Sequence, residues 1–175
     1  MLDLWKALVS ATRELGQPKA ALDTIDAAVA EEPALLEELT RAALAAEPAA
    51  LEALATRFEA SPQALSFLGR TLAAPFLVQA TRLVSADHID AMGKPSSACP
   101  FCGSPASLAV LSRAGEGKRH LCCGQCGARW HYPRIQCPAC EQQDQDRLGF
   151  LKVDHDAPAW IETCDACKAA IKTVD

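Results

Sequence analysis

The sequence predicts an α-helical bundle followed by two small, metal-bound β modules in tandem. Two observations predict this fold class. Residues 1–84 are rich in Ala, Leu and Glu and contain no cysteine, whereas residues 99–167 hold all nine cysteines of the chain. Eight of the nine form four C-x-x-C pairs, a spacing typical of metal-binding turns. The predicted domains are a helical domain at 1–84, a linker at 85–98, a first metal ribbon at 99–136 and a second at 137–175.

The helical prediction rests on apolar periodicity and on helix boundaries. In MLDLWKALVSATRELG the apolar residues recur at helical spacing, and Gly16 with Pro18 closes the element. The pattern P-x-x-L-x-x-L then occurs three times, beginning at Pro33, Pro48 and Pro62. Proline is tolerated in the first turn of a helix, so each repeat predicts a helix start. Three short repeats favour a bundle over a helical solenoid.

Two further residues shape the last predicted helix, which runs through LSFLGRTLAAPFLVQATRLV. Ser61 is a plausible N-cap, and Pro75 predicts a kink. The helical half shows no Gly-rich phosphate loop and no Ser/His/Asp set, so we interpret it as a docking or packing module.

The four C-x-x-C pairs predict turns whose two sulfurs point to one metal ion. In CPFCG and CCGQCG a Gly follows the second Cys and accepts the positive φ that such a turn needs. The third and fourth pairs, CPACE and CDACK, have other residues there, which fit the turn less comfortably.

The gaps between the pairs predict two hairpins. SLAVLS and RHLC flank a glycine-containing turn in the first gap, and RLGFLKV and WIETC flank DHDAP in the second. Of three possible ways to combine the pairs, we favour the sequential one, because each hairpin then closes its own site. Site 1 would contain Cys99, Cys102, Cys123 and Cys126, and site 2 Cys137, Cys140, Cys164 and Cys167. Disulfides and a redox-active dithiol are the alternatives to this zinc-ribbon or rubredoxin-like interpretation.

One cysteine and three histidines remain outside this scheme. In CCGQC the turn pattern selects Cys123 as the ligand, which leaves Cys122 as a reactive thiol or, as we favour, a small apolar residue. His120, His131 and His155 could replace a cysteine, but eight thiolates already fill two sites.

Two metal ions, zinc or iron, are the expected cofactors, because both suit a tetrahedral site of four sulfurs. Each ribbon is too small to bury a useful core, so the metal must supply much of its folding free energy, about 10 kcal/mol per site.

Three stretches resemble the formate dehydrogenase accessory protein family, the FdhE family: CPFCGSPASLAVL, GKRHLCCGQCGARWHYPRIQCPAC and ETCDACKAAIKTVD. The CPxCG-S opening of the family pattern fits Cys99 to Ser104, with Pro105 directly after it, and the later elements of the pattern fit the remaining cysteine pairs. Its other positions fall on Gly117, Arg119, Leu121, Trp130, Arg134 and Lys172. Typical members are considerably longer, so the resemblance indicates a shortened or compact member.

The resemblance implies a cytoplasmic assembly factor that contacts the catalytic subunit of formate dehydrogenase before export. It implies two rubredoxin-like metal sites and no enzymatic activity. Trp130 and Arg134, between the two sites, are candidate partner-binding residues. The alternative is that Trp130 packs the ribbons together and Arg134 binds nearby carbonyl groups.

Two other functions stay open, namely a rubredoxin-like electron carrier and a nucleic-acid-binding zinc ribbon. The net charge of −5 and the lack of a basic stripe count against nucleic acid as a partner. No apolar run is long enough to span a bilayer, and MLDLWKALVS does not look like a signal peptide, so we expect a cytoplasmic protein without membrane insertion.

Overall fold

A computed structural model of the protein describes residues 1–14, 19–45, 47–85, 88–89, 96–112, 117–152, 154 and 158–175. The chain divides into two compact units, Met1–Phe76 and Leu77–Asp175. Most of the predicted linker, 85–98, lies outside the described residues, as do Gly16 and Pro18. The domain boundaries drawn from composition therefore stay predictions. Among the described residues, no helix combines the length and apolar character that crossing a bilayer requires.

Five helices form the first unit, and the last of them continues into the second. They are α1 (Leu2–Glu14), α2 (Lys19–Glu31), α3 (Leu35–Ala45), α4 (Pro48–Phe58) and α5 (Pro62–Arg82). The predicted helical region is confirmed. Pro48 and Pro62 begin α4 and α5 as predicted, but Pro33 lies in a turn two residues before α3. That turn still prepares the helix, because the N–H of Leu36 donates to the carbonyl of Pro33 at 3.2 Å.

Local chemistry explains how α5 begins and continues. The hydroxyl of Ser61 accepts a hydrogen bond from the N–H of Ala64 at 3.1 Å, which confirms the predicted cap. The helix runs through Pro75 without interruption. Gly69 allows α5 to lie close to α3, since a Cβ at Gly69 would come within 2.6 Å of the Ala43 Cβ.

The apolar faces of the helices bury the core of the first unit. Trp5, Leu36, Leu65 and Leu72 are among its most buried side chains. The indole N–H of Trp5 donates to the carboxylate of Asp26 at 2.9 Å, so the polar edge of this buried ring is satisfied.

The second unit contains one six-stranded sheet that neither predicted ribbon could form alone. Its strands are β1 (Ala106–Ser112), β2 (Lys118–Cys123), β3 (Arg129–His131), β4 (Leu148–Leu151), β5 (Ala159–Cys164) and β6 (Ala170–Val174). Both predicted hairpins are present, as the antiparallel pairs β1–β2 and β4–β5. Each is extended by a short strand after its second cysteine turn, β3 on β2 and β6 on β5.

A parallel pair joins the two ribbons. β1 pairs with β6, with Ala109 opposite Thr173, and the strand order is β3-β2-β1-β6-β5-β4. Since β1 and β6 run in the same direction, the start of β1 and the start of β6 lie at the same end of the sheet. The cysteine turns flank these strand starts, so both cysteine groups are placed at one end.

Candidate metal centres

The four C-x-x-C segments adopt the same turn, although only two of them contain the expected glycine. In each turn the residue after the second Cys donates its N–H to the carbonyl of the first Cys, at 2.8 to 3.0 Å. That residue has a left-handed backbone in every case, with φ values of 72° and 74° at Gly103 and Gly127 and 61° at Glu141 and Lys168. Glu141 and Lys168 therefore carry a backbone strain that the two glycines avoid.

The turns bring the eight sulfurs into two groups, each of which could hold a metal ion. They are site 1, with Cys99, Cys102, Cys123 and Cys126, and site 2, with Cys137, Cys140, Cys164 and Cys167, and the sulfurs of each lie within 4.8 Å of one another. This is the sequential combination of the pairs. All nine cysteines are free.

The spacing of the sulfurs fits a tetrahedral metal ion. In site 1 the Cys99 and Cys126 sulfurs are 3.6 Å apart and those of Cys102 and Cys123 are 3.5 Å apart. In site 2 the corresponding distances, Cys137–Cys167 and Cys140–Cys164, are both 3.7 Å. A tetrahedron of sulfurs with metal–sulfur bonds of about 2.3 Å has edges of about 3.8 Å, whereas a disulfide bond measures about 2.05 Å.

Backbone amides support the thiolates and distinguish Cys123 from its neighbour. The N–H of Gln125 points to the sulfur of Cys123 at 3.3 Å, and that of Ala139 to the sulfur of Cys137 at 3.4 Å. Such donors stabilise a thiolate and orient it towards a metal. Cys122 lies outside both groups, and burial raises the pKa of its thiol. These features fit a small apolar residue better than a reactive thiol.

Three of the four thiols of site 1 favour the protonated form until a cation is bound. Burial raises the pKa of Cys99, Cys123 and Cys126 to about 11. At Cys102, by contrast, burial is outweighed by hydrogen bonds, chiefly from Ser104, which lower its pKa. Metal uptake at site 1 must therefore displace protons at neutral pH.

The thiols of site 2 differ from one another. Burial raises the pKa of Cys137. At Cys140 a backbone hydrogen bond from Gln142 is outweighed by contacts with the neighbouring thiols, above all that of Cys167, which raise its pKa to about 12. A backbone hydrogen bond from Cys167 lowers the pKa of Cys164 to about 7.

The two sites also differ in their access to solvent. Cys99, Cys123 and Cys126 are buried in site 1, whereas Cys140 and Cys167 are exposed in site 2. Exchange of a metal ion or of an electron with another molecule is therefore easier at site 2.

A buried arginine links the two ribbons, a structural role that the sequence alone did not predict. Arg119, on β2, is 1% exposed. Its guanidinium donates to the carbonyls of Pro133, at 3.2 Å, and Gln136, at 2.9 Å, and to the carboxylate of Glu162 on β5. The alternation of residues in KRHLCC could have revealed the burial of Arg119, because Arg119 shares a strand face with Leu121 and Cys123, and all three are buried.

Tyr132 completes this junction. Its ring lies 5.7 Å from the Arg119 guanidinium carbon, and its hydroxyl donates to the carbonyl of Cys137 at 3.1 Å. The junction therefore ties the first ribbon to the first cysteine of site 2.

The two candidate partner-binding residues lie in different environments. Trp130 is 3% exposed, and its indole N–H donates to the carbonyl of Ser96 at 2.8 Å. It packs in the core of the second unit, so a partner could not contact its ring without a rearrangement. Arg134 is exposed and remains a candidate.

Of the predicted histidines, the two that the structure describes, His120 and His131, do not join either group of sulfurs. The rings of His120 and His131 contact each other edge to face, with centroids 6.1 Å apart. Their side chains belong to strands β2 and β3, which pair at these two positions. His155 lies outside the described residues.

Comparison with known proteins shows which family the chain resembles. Residues 98–134 match the family model described as FdhE, central domain. The protein named Protein FdhE homolog from Pseudomonas aeruginosa is 30% identical over 189 aligned positions, which cover 92% of this chain and 60% of that protein. The chain is similar to an FdhE homologue over 92% of its length.

Further comparisons extend this resemblance. A Protein FdhE homolog from Aquifex aeolicus is 33% identical over 79 residues, covering 44% of this chain and 28% of the relative. The crystal structure of the FdhE protein from Pseudomonas aeruginosa matches with a TM-score of 0.55 at 24% identity, and the match covers 95% of this chain and 65% of that one. This likeness shows that the fold is shared. The chain spans less than two thirds of the length of these relatives.

Proposed function

We propose that this chain is a cytoplasmic, FdhE-type accessory protein that binds the catalytic subunit of formate dehydrogenase through its two tetracysteine sites. The observation that carries the proposal is the joining of both sites into one sheet. The β1–β6 pair and the Arg119 junction hold the sites at the same end of the sheet, where a partner could contact both. The role in assembly comes from the family resemblance.

The metal sites would support binding rather than catalysis. Site 1 and site 2 would each hold zinc or iron, and either ion would supply the cross-link that shapes the ribbons. A reducing cytoplasm would keep the thiols available for metal. The first unit, with its separate helical core, would add a packing or docking surface.

Co-purification tests the proposal. The full chain would be tagged and co-expressed with the formate dehydrogenase catalytic subunit, and the complex isolated under reducing conditions. We expect the catalytic subunit to be recovered with the wild type and lost with Cys123→Ser, which removes a site 1 sulfur. Cys122→Ser is the matched control, because Cys122 belongs to neither site, and it should retain the partner. Failure of the wild type to associate would refute the proposal.

The exposed edge of site 2 favours one alternative, a rubredoxin-like electron carrier. Cys140 and Cys167 reach the surface, and iron at site 2 would allow one-electron exchange with another molecule. Absorption spectra of protein purified without oxygen distinguish the two functions. Iron in both sites with a reversible visible spectrum would favour the carrier, whereas zinc would indicate a purely structural role.

A further inference from the structure

A groove of about 930 Å³ lies within the second unit, on the side of the sheet that Glu162 faces. Residues 134–139, strands β4, β5 and β6, and residues around the start of β1 line the groove. Two large apolar side chains in this lining are unusually exposed, Phe150 at 67% and Ile135 at 48%. Exposed apolar side chains clustered in a concave surface are typical of a site that binds another molecule.

The strand register shows which side chains belong to the groove. On β4, Phe150 lies opposite Glu162 of β5 and shares its face with Leu148. Lys152, directly after the strand, follows the same alternation. Leu151 lies opposite Ile161 and points to the other face. Phe150 and Leu151 are therefore neighbours of nearly equal exposure, 67% and 64%, on opposite faces of the sheet.

The groove carries positive charge at the end away from the cysteine sites. Arg134 lies near Gly117, because a Cβ added to Gly117 would be 3.0 Å from Nη1 of Arg134. Gly117 precedes the start of β2, whereas Cys123 lies at the other end of that strand. The Lys152 ammonium lies 5.0 Å from the centre of the Trp160 ring. Lys152 is four residues from Leu148, which lies beside site 2, a distance of about 13 Å along a strand. This separation exceeds the screening length of about 8 Å at physiological salt, so the negative charge of the site 2 thiolates is largely screened at Lys152.

The charges in the groove favour an acidic ligand. Three cationic and two acidic residues line it, namely Arg134, Lys152, Lys172, Glu162 and Asp175. The Glu162 carboxylate is already paired with the buried Arg119, so the cations outnumber the remaining acidic side chain. Arg134 and Lys152 would attract carboxylates, although the chain as a whole has a net charge of −5. A second copy of the chain fits poorly, because a two-fold contact places the same surface against itself and would bring these cations together.

We propose that this groove binds an extended peptide segment of a partner protein. Apolar side chains of the segment would pack on Phe150 and Ile135, and its carboxylates would meet Arg134 and Lys152. The inference deepens the proposed function and rests on it for the partner, since the segment would belong to the protein that this chain assists.

Peptide binding to the full, metal-loaded chain tests this inference. The acidic probe is a fluorescently labelled peptide of about ten residues with alternating Val and Glu, long enough to extend through the groove. The basic probe replaces every Glu with Lys. We expect the acidic probe to bind at least about tenfold more tightly than the basic probe, with an advantage that falls as salt is raised.

Two variants and one matched control locate the binding. Phe150→Ala and Lys152→Glu should each weaken binding of the acidic probe about tenfold, as expected for an apolar anchor and for a reversed charge. Leu151→Ala removes a side chain of similar exposure from the opposite face and should leave binding unchanged. Because all three side chains are exposed, the variants should fold.

Several results would overturn the inference. These are absence of binding, equal binding of both probes, or acidic-probe binding that neither Phe150→Ala nor Lys152→Glu weakens. Sedimentation that shows a dimer dissolved by Phe150→Ala would assign the groove to a second copy and also overturn it. Co-purification of the catalytic subunit with Phe150→Ala at the wild-type level would overturn the groove while leaving the proposed function standing.

Discussion

Replacing Arg119 with Ala should loosen the junction between the two ribbons. The substitution removes the donors to the carbonyls of Pro133 and Gln136 and leaves the Glu162 carboxylate without its partner. Each lost hydrogen bond to a buried carbonyl costs about 1 kcal/mol, and breaking a buried ion pair costs about 3–5 kcal/mol. Because Glu162 is 24% exposed and Nε of Arg119 has no hydrogen-bond partner, we expect this pair to contribute only about 1 kcal/mol, which with the two carbonyl hydrogen bonds gives a loss of about 3 kcal/mol.

Hydrogen exchange measured by mass spectrometry reports this loss where it occurs. With metal present in excess, the amides of β2 and β5 should exchange about a hundredfold faster in Arg119→Ala than in the wild type, since 1.36 kcal/mol corresponds to about a factor of ten. Glu162→Gln keeps an acceptor and should cost only about 1 kcal/mol.

Arg147 provides the matched control. Its ion pair with Asp144 is exposed on both sides, so Arg147→Ala should change stability by less than about 0.5 kcal/mol. Wild-type exchange rates at β2 and β5 in Arg119→Ala would refute the argument that this arginine holds the ribbons together.

Three further predictions follow from the geometry. Gly103→Ala places a side chain in a left-handed turn without creating a steric contact and should destabilise site 1 by about 1 kcal/mol. Glu141→Gly relieves backbone strain at site 2 and should be neutral or stabilising. Chelator competition measures metal retention in both variants, and destabilisation in both would contradict the turn geometry. Gly69→Ala should destabilise the first unit by about 1–2 kcal/mol in thermal unfolding by circular dichroism, because overpacking against Ala43 outweighs the gain in helix propensity; a stabilised variant would show that α3 and α5 can separate freely. Metal binding at site 1 should weaken as pH falls from 8 to 6, because the bound form carries fewer protons on Cys99, Cys123 and Cys126. Displacement of three protons corresponds to a loss of affinity of about a thousandfold per pH unit. Zinc titrations that show pH-independent binding would contradict this.

Local sequence patterns predicted much of the second unit. The four C-x-x-C pairs and the turn residues between them predicted the hairpins β1–β2 and β4–β5, because these features depend on neighbouring residues. Turn geometry likewise favoured Cys123 over Cys122. The left-handed backbone of Glu141 and Lys168 shows that the turn forms even without glycine.

The sequence did not predict how the ribbons combine. The β1–β6 pair joins residues more than 60 positions apart, Ala109 and Thr173, and no local pattern specifies such a partner. Burial of Arg119 was also missed, because a charged side chain in a strand is usually exposed. Its three acceptors come from Pro133 and Gln136, which follow β3, and from Glu162 on β5, and they become neighbours only after the two ribbons share a sheet.

Metal content per chain tests the central claim most directly. Native mass spectrometry and elemental analysis of protein purified without oxygen should find two metal ions in the wild type, two in Cys122→Ser and about one in Cys123→Ser. Chains that carry no metal, or whose sulfurs are bonded to one another, would contradict the account, as would identical metal content in the two variants.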